Sequence, residues 1–230
     1  MPDAPCGRPD CPIVAPTSID KRSLHTHVLP ARTEWYRVAR RAHGDDPFTP
    51  SGIGDGRFSP LADRGHCYLA AQRSASLLES ALHEAAGPNP RIYTAQLRPF
   101  SLYRLRLLAN VSLVDLRDPA LTALGIERAT LTGAAARHYP CTRAVAEHLV
   151  GAKRTAGFVW TSRQGHLHAD RNPDGLASEV LHHEQLDVAV VDEPDAAGSL
   201  TIESSEPIVV GDTPIRFVRE LANLLRIAIL

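Results

Sequence analysis

The segment DGRFSPLADRGHCYLAAQRSASLLES, Asp55 to Ser80, carries most of what the chain says about its fold. It opens in a glycine loop, passes through the apolar run Cys67-Tyr-Leu-Ala-Ala71, and enters an amphipathic stretch. The apolar run is short and bounded by turn residues, which suits a strand. Leu77, Leu78, Ala81 and Leu82 then recur at helical spacing, so a helix is expected over 74–86, stopped by Gly87-Pro88. Arg57, Tyr68 and Glu79 fall on the loop, the strand and the helix, at equal spacings of eleven residues. A helix packed beside the strand before it can aim Glu79 at the same cleft as Tyr68. Ser76-x-x-Glu79 also fits a capping box at a helix start, which would give the glutamate a purely structural use.

Outward from this unit, 34–39 (EWYRVA) is rich in aromatic and β-branched residues and reads as a strand carrying Arg37. Residues 44–60, with Gly52-x-Gly54-x-Gly56, have loop composition and suit a flexible segment closing over a ligand. Downstream, 91–108 reads as one or two strands and 111–116 as another, followed by a helical turn over 120–124. An amphipathic helix is expected over 141–150, with Thr142 at its N-cap and Gly151 beyond its end. GFVWTS (157–162) is a buried strand ending in a polar pair, 186–191 is a further strand, and 215–230 has helical period at Phe217, Leu221, Leu224 and Leu225. That last stripe is expected to face the core. Without regular βαβ alternation, the pattern is α+β.

Five of the 18 prolines lie in the first twenty residues, so 1–33 is expected to be a flexible tail ahead of a single domain over 34–230. A chain of 230 residues can bury a core without staples. With 25 Lys+Arg against 26 Asp+Glu, bulk positive charge for binding nucleic acid or a membrane surface is lacking. No apolar run reaches the roughly 18 residues of a spanning helix. The first residues do not read as a secretory signal, and a cytoplasmic protein is expected.

Cys6 and Cys11 resemble half of a metal site, but a structural zinc needs four ligands and no second pair is adjacent, so the expectation is free thiols and no metal. His166 and His168 share one face of an extended segment, with His182-His183 beyond, but no HExxH spacing accompanies them. A serine hydrolase centred on Ser162 would want Gly-x-Ser-x-Gly, which is absent there.

Taken together, Tyr36-Arg37-Val38, Gly56-Arg57-Phe58, Tyr68-Leu69-Ala70, Glu79 and Gly157-Phe158-Val159-Trp160-Thr161-Ser162 resemble the RES domain family, over roughly Glu34 to Val191. Leu113 to Pro119 and Thr142 to Ala146 add to the likeness. The resemblance implies an ADP-ribosyltransferase-like fold and an NAD-consuming enzyme. Known members are toxins of toxin–antitoxin pairs that cleave NAD with water or phosphate, or modify a protein. An antitoxin on a separate chain and a protein acceptor are therefore implied partners. Arg57, Tyr68, Glu79 and Ser162 match the family's arginine, tyrosine, glutamate and serine, and Arg37 matches a second arginine. The family pattern Gly-Gly-Arg-Trp is replaced here by Asp55-Gly56-Arg57-Phe58.

These residue types suit scission of the nicotinamide–ribose bond, which develops cationic character at the ribose carbon. A carboxylate, Glu79, stabilises that charge. Guanidinium groups, Arg57 and Arg37, suit the pyrophosphate. Tyr68 offers a flat face to a ring, and Ser162 can orient ribose or the carboxamide. The alternative, which the Asp55 and Phe58 departures keep open, is a non-catalytic ADP-ribose or nucleotide-binding module that kept the cleft and lost the chemistry.

Overall fold

In a computed structural model the described residues are 4–43, 46–50, 53–59, 61, 64–83, 85, 89–163 and 187–230. Eight strands form one mixed sheet: β1 (Thr26–Leu29), β2 (Glu34–Arg40), β3 (His66–Ala70), β5 (Phe100–Leu107), β6 (Val111–Asp115), β7 (Gly157–Thr161), β8 (Asp187–Asp192) and β9 (Leu200–Pro207). Their order is β1-β6-β7-β8-β3-β2-β5-β9. Every pairing is antiparallel except β6 with β7, which are parallel. The short strand β4 (Arg91–Ile92) pairs with β12 (Ala228–Ile229), and β10 (Val209–Val210) with β11 (Thr213–Pro214). Helices are α1 (Arg73–Leu78), α2 (Thr94–Leu97), α3 (Asp118–Ala123), α4 (Tyr139–Leu149), α5 (Glu193–Ala196) and α6 (Arg216–Leu224). This is the α+β architecture expected from the sequence.

Strand alternation sorts the apolar residues into two cores. Val114, Phe158, Trp160, Val188 and Val190 face the first, which is closed by Leu77 of α1, Val145 of α4 and Leu221 of α6. Their strand neighbours Leu113, Val159, Ala189 and Val191 face the second, where they meet Leu69, Trp35 and Leu105. That second core is filled almost wholly by strands, so the sheet curls over its own face. Being buried on both sides explains why β7 and β8 are nearly unbroken apolar runs.

Several elements depart from expectation. Helix α1 stops at Leu78, and turns carry 79–83, although Leu77, Leu78, Ala81 and Leu82 are all buried as expected. Within 91–108, residues 94–97 are helical rather than extended: the Gln96 side chain accepts from the Tyr93 N–H and fixes a helix start. Helix α4 begins at Tyr139, so Thr142 lies inside it rather than at its cap. The C-terminal stripe does face the core, with Leu221 and Leu225 buried, but α6 ends at Leu224 and the chain finishes as β12. The edge strand β9 was not foreseen, since its exposed Glu203-Ser-Ser-Glu206 lacks an apolar alternation.

The proline-rich lead also differs from a flexible tail. Ile19, Leu24 and Leu29 are buried, and β1 pairs with β6. Lys153 Nζ donates to the Leu24 carbonyl at 2.5 Å, and the Ile19 carbonyl lies 3.4 Å from His148 Nε2. The prolines crowd the first sixteen residues, whereas the anchors lie in the proline-free stretch 17–29, whose scattered apolar residues hold it by tertiary contact. The His166, His168 and His182-His183 readings, and Gly52, lie outside the described residues.

Candidate active site

Strands β2 and β3 share a single register position, Tyr36 opposite Ala70. Beyond it they part, β2 staying with β5 and β3 with β8. The sheet therefore splits, and a cavity of about 830 Å³ occupies the split. Its walls come from Arg37 to Arg40 on β2, the loop Ile53 to Arg57, Tyr68 on β3, and Glu79 and Ser80 after α1.

Glu79 is the residue at which α1 ends. Its N–H still bonds the Ala75 carbonyl, at 3.0 Å, but Leu82 N–H then reaches back to the Leu77 carbonyl at 2.8 Å, and the Ser80 hydroxyl takes the Ser76 carbonyl. These bonds turn the chain out of the helix and place Glu79 on the cavity wall. Ser76 sits within the helix, so the capping box is not formed. Ser162, fully buried just beyond β7, donates from Oγ to Glu79 Oε1 at 2.5 Å. The two residues are 83 positions apart. Ser162 is not itself among the residues lining the cavity.

The Tyr68 ring forms another wall, held edge-on by Trp160 and His66, each with ring centres 5.8 Å away. Its hydroxyl accepts from the Phe58 N–H at 3.3 Å. Burial pushes the Tyr68 phenol up to about 12, outweighing that hydrogen bond and the nearby Arg57 charge, so the ring stays neutral.

Arg57 also lines the cavity but is 4% exposed and heavily engaged. Its Nη1 donates to the carbonyls of Ala134 at 2.6 Å and Leu131 at 3.4 Å. Its Nη2 donates to the Tyr139 hydroxyl at 3.4 Å, and the guanidinium lies 4.9 Å from the Tyr139 ring centre. Thr142 Oγ1 donates to the Arg57 carbonyl at 2.5 Å. Arg57 is thus braced against the start of α4 before any ligand arrives. Arg37 lines the cavity too, yet its guanidinium is held by Thr49 Oγ1 at 2.5 Å and Cys67 Sγ at 3.6 Å. Its strand neighbours Trp35 and Ala39 face the second core, and Arg37 reaches the cavity from that side of the sheet.

Both departures from the family pattern have local causes. Asp55 pairs with Arg143 at 2.8 Å, and Arg143 also donates to the Gly56 carbonyl at 3.1 Å, which ties the loop to α4. Phe58 is fully buried between Phe158 and Trp160, with ring centres 5.7 and 5.0 Å away, so it fills core volume.

Sequence reasoning missed Tyr139, His66, His83 and Arg143. Three of these, Tyr139, His66 and His83, line the cavity. His66 stands two residues before Tyr68 on one strand face, so strand period was a usable signal for it. Nothing in spacing links Tyr139 to Arg57, 82 residues earlier. Burial raises the Tyr139 phenol above its ordinary value, although Arg57 works against this.

No curated protein matches the chain by sequence. Among solved structures, it is similar to a chain from the crystal structure of the M. tuberculosis MbcT–MbcA toxin–antitoxin complex, with a TM-score of 0.53 and 18% identity. The match covers 92% of this chain and 96% of that one. At that identity the likeness speaks for the fold, and the architecture is the ADP-ribosyltransferase-like α+β arrangement implied by the resemblance. The family model for the RES domain matches residues 34–201, which span Arg37, Arg57, Tyr68, Glu79 and Ser162. On this evidence the chain belongs to the RES domain family.

Proposed function

We propose that the chain is a cytoplasmic NAD-consuming enzyme that breaks the nicotinamide–ribosyl bond, and that it acts as the toxin of a toxin–antitoxin pair. The observation that carries this reading is Glu79, anchored by Ser162 and opening into a cavity shared with Tyr68 and Arg57. About 830 Å³ lies within the roughly 300–1,000 Å³ typical of small-molecule and cofactor sites.

In this reading Glu79 stabilises positive charge as it develops at the ribose carbon, and accepts hydrogen bonds from ribose hydroxyls. Ser162 is a positioning residue: it is buried behind Glu79 and fixes which way the carboxylate faces. Tyr68 supplies a rigid neutral face for a ring. Arg57 presents a pre-oriented positive charge to the pyrophosphate, with Arg37 lining the same cavity. The acceptor is water, phosphate or a protein side chain, and a separate antitoxin protein restrains the activity.

The test is purified full-length protein with NAD, with and without phosphate, read as nicotinamide release. Release in either condition is expected. Its absence in both, with no ADP-ribosylated protein formed in a lysate, would defeat the proposal. A non-catalytic nucleotide-binding module would instead hold NAD in calorimetry without releasing nicotinamide. The departures at Asp55 and Phe58 speak for that alternative; in the structure Asp55 pairs with Arg143, and Phe58 packs against Phe158 and Trp160.

A further inference from the structure

Four ligating side chains from two distant parts of the chain meet at the start of α4. Cys6 and Cys11 come from the proline-rich lead, and His138 and Cys141 flank the first turn of the helix. The three sulfurs all lie within 4.8 Å of one another. Cys11 Sγ is 3.6 Å from Cys141 Sγ, and His138 Nδ1 is 3.6 Å from Cys6 Sγ and 3.4 Å from Cys11 Sγ. We propose that these residues form a structural Cys3His site for a tetrahedral divalent ion, zinc by its ligand chemistry.

Three separations already approach that geometry, Cys11 Sγ to Cys141 Sγ and His138 Nδ1 to Cys6 and Cys11 Sγ, while His138, which lies outside the tight group of three sulfurs, closes toward Cys141 when the ion binds. With Zn–S near 2.3 Å and Zn–N near 2.0–2.1 Å, a tetrahedron has sulfur–sulfur edges of about 3.8 Å and sulfur–nitrogen edges of about 3.6 Å. A disulfide needs sulfurs about 2.05 Å apart, joins only two of the three, and makes no use of His138. The Cys6 N–H donates to Cys141 Sγ at 3.3 Å, which ties the lead to the helix ligand. Between Cys6 and Cys11 the chain turns tightly, with Gly7 at φ +68° and Cys11 N–H bonded to the Arg8 carbonyl at 3.3 Å. Gly7 is the residue type that takes this φ without strain. Three thiolates and one imidazole suit zinc over the hard oxygen-seeking cations. Four protein ligands also leave no open position, which marks a structural role rather than a catalytic one. Ligation through Nδ1 leaves the proton on His138 Nε2, so the exposed Arg137, whose Nε now sits 3.2 Å from it, turns to solvent.

The site has a consequence for the cavity. Tyr139, between the two helix ligands, braces the Arg57 guanidinium, and Thr142, next to Cys141, holds the Arg57 carbonyl. A metal there welds the lead to α4 and fixes the support behind Arg57. The proposal does not depend on the reaction catalysed.

Metal content decides it. Full-length protein purified from zinc-containing medium, without chelator or histidine tag, is expected to hold one zinc per chain by elemental mass spectrometry. Cobalt exchanged into the site should give tetrahedral ligand-field bands and a thiolate charge-transfer band. The Cys6→Ser/Cys11→Ser variant alters only the lead and is expected to lose the ion and to melt earlier. The Cys67→Ala variant, outside the cluster, should retain the full content. Wild-type protein without stoichiometric zinc and without the cobalt bands would overturn the site. So would zinc retained in the Cys6/Cys11 variant, or a disulfide among Cys6, Cys11 and Cys141 in the native protein.

Discussion

Gly56→Ala tests how closely the loop approaches the candidate site. A Cβ built at Gly56 lies 2.3 Å from the Tyr68 hydroxyl oxygen, 2.8 Å from Cζ and 2.9 Å from Cε2. Comfortable heavy-atom contact begins near 3.5 Å, so the ring or the loop has to give by about 1 Å. Neither is free to do so. Trp160 and His66 hold the ring edge-on, Phe58 N–H holds its hydroxyl, and Arg143 holds the Gly56 carbonyl. Gly56 does not have a left-handed φ, so the cost is steric rather than conformational. Overpacking of this kind costs about 1–3 kcal/mol, and the smaller entropy of the unfolded alanine chain returns roughly 0.4–1 kcal/mol. A net loss of about 1–2 kcal/mol lowers the melting temperature by roughly 2–8 °C in a chain of this size. NAD affinity, read by calorimetry, should fall as the Tyr68 wall moves. The decisive measurement is a double-mutant cycle with Tyr68→Phe, which removes the nearest atom. The pair should be less destabilised than the sum of the single variants, by at least about 0.5 kcal/mol. Strict additivity, or a Gly56→Ala protein that melts with the wild type, would refute the contact.

Glu79→Gln is expected to cut nicotinamide release by at least about 10²-fold while NAD still binds in calorimetry; wild-type turnover would remove Glu79 from its proposed role. Ser162→Ala removes a hydrogen bond to that carboxylate, worth about 1.5–3 kcal/mol, and should lower kcat roughly 10- to 100-fold with little change in KM. A loss confined to KM would instead mean that Ser162 touches the ligand. Asp192 is 1% exposed, neither carboxyl oxygen has a hydrogen-bond partner among the described residues, and burial pushes its carboxyl up to about 7, with Arg64 lowering it and Asp195 raising it by less. Because this folded value lies above the ordinary 3.8, the folded chain holds the extra proton, so its stabilising effect is complete below about pH 4 and is lost as pH rises through 7. The upper limit is on the order of 4 kcal/mol. Asp192→Asn should flatten denaturation midpoints between pH 4 and 7, and an unchanged slope would show that Asp192 does not set it.

Much of the sheet was legible because its strands are locally consistent. Buried on both faces, β7 and β8 are near-continuous apolar runs, and β2 and β3 are short and bounded by turn residues. The misreadings share one cause, a tertiary contact overriding a local preference. Apolar periodicity continued past Leu78 because Ala81 and Leu82 are buried by turns as well as they would be by a helix. The lead looked formless because its anchors, Ile19, Leu24 and Leu29, are isolated apolar residues, five apart, that follow a proline-rich start.

The candidate site divides the same way. The order of short motifs that carries the family resemblance was what picked out Arg57, Tyr68, Glu79 and Ser162, and a carboxylate, a cation and a flat ring suit the proposed charged glycosyl centre. By itself the sequence determined that inventory, the strand periods and the absence of bulk positive charge. It did not determine who supports whom. Ser162 stands behind Glu79, Arg57 leans on Tyr139, and Cys6 and Cys11 find His138 and Cys141, all across 82 to 135 positions of chain. Those partnerships arise only once the sheet splits between β2 and β3 and α4 packs beneath the loop. Local pattern records which face of an element is buried, whereas the identity of the partner depends on how separate elements close upon one another.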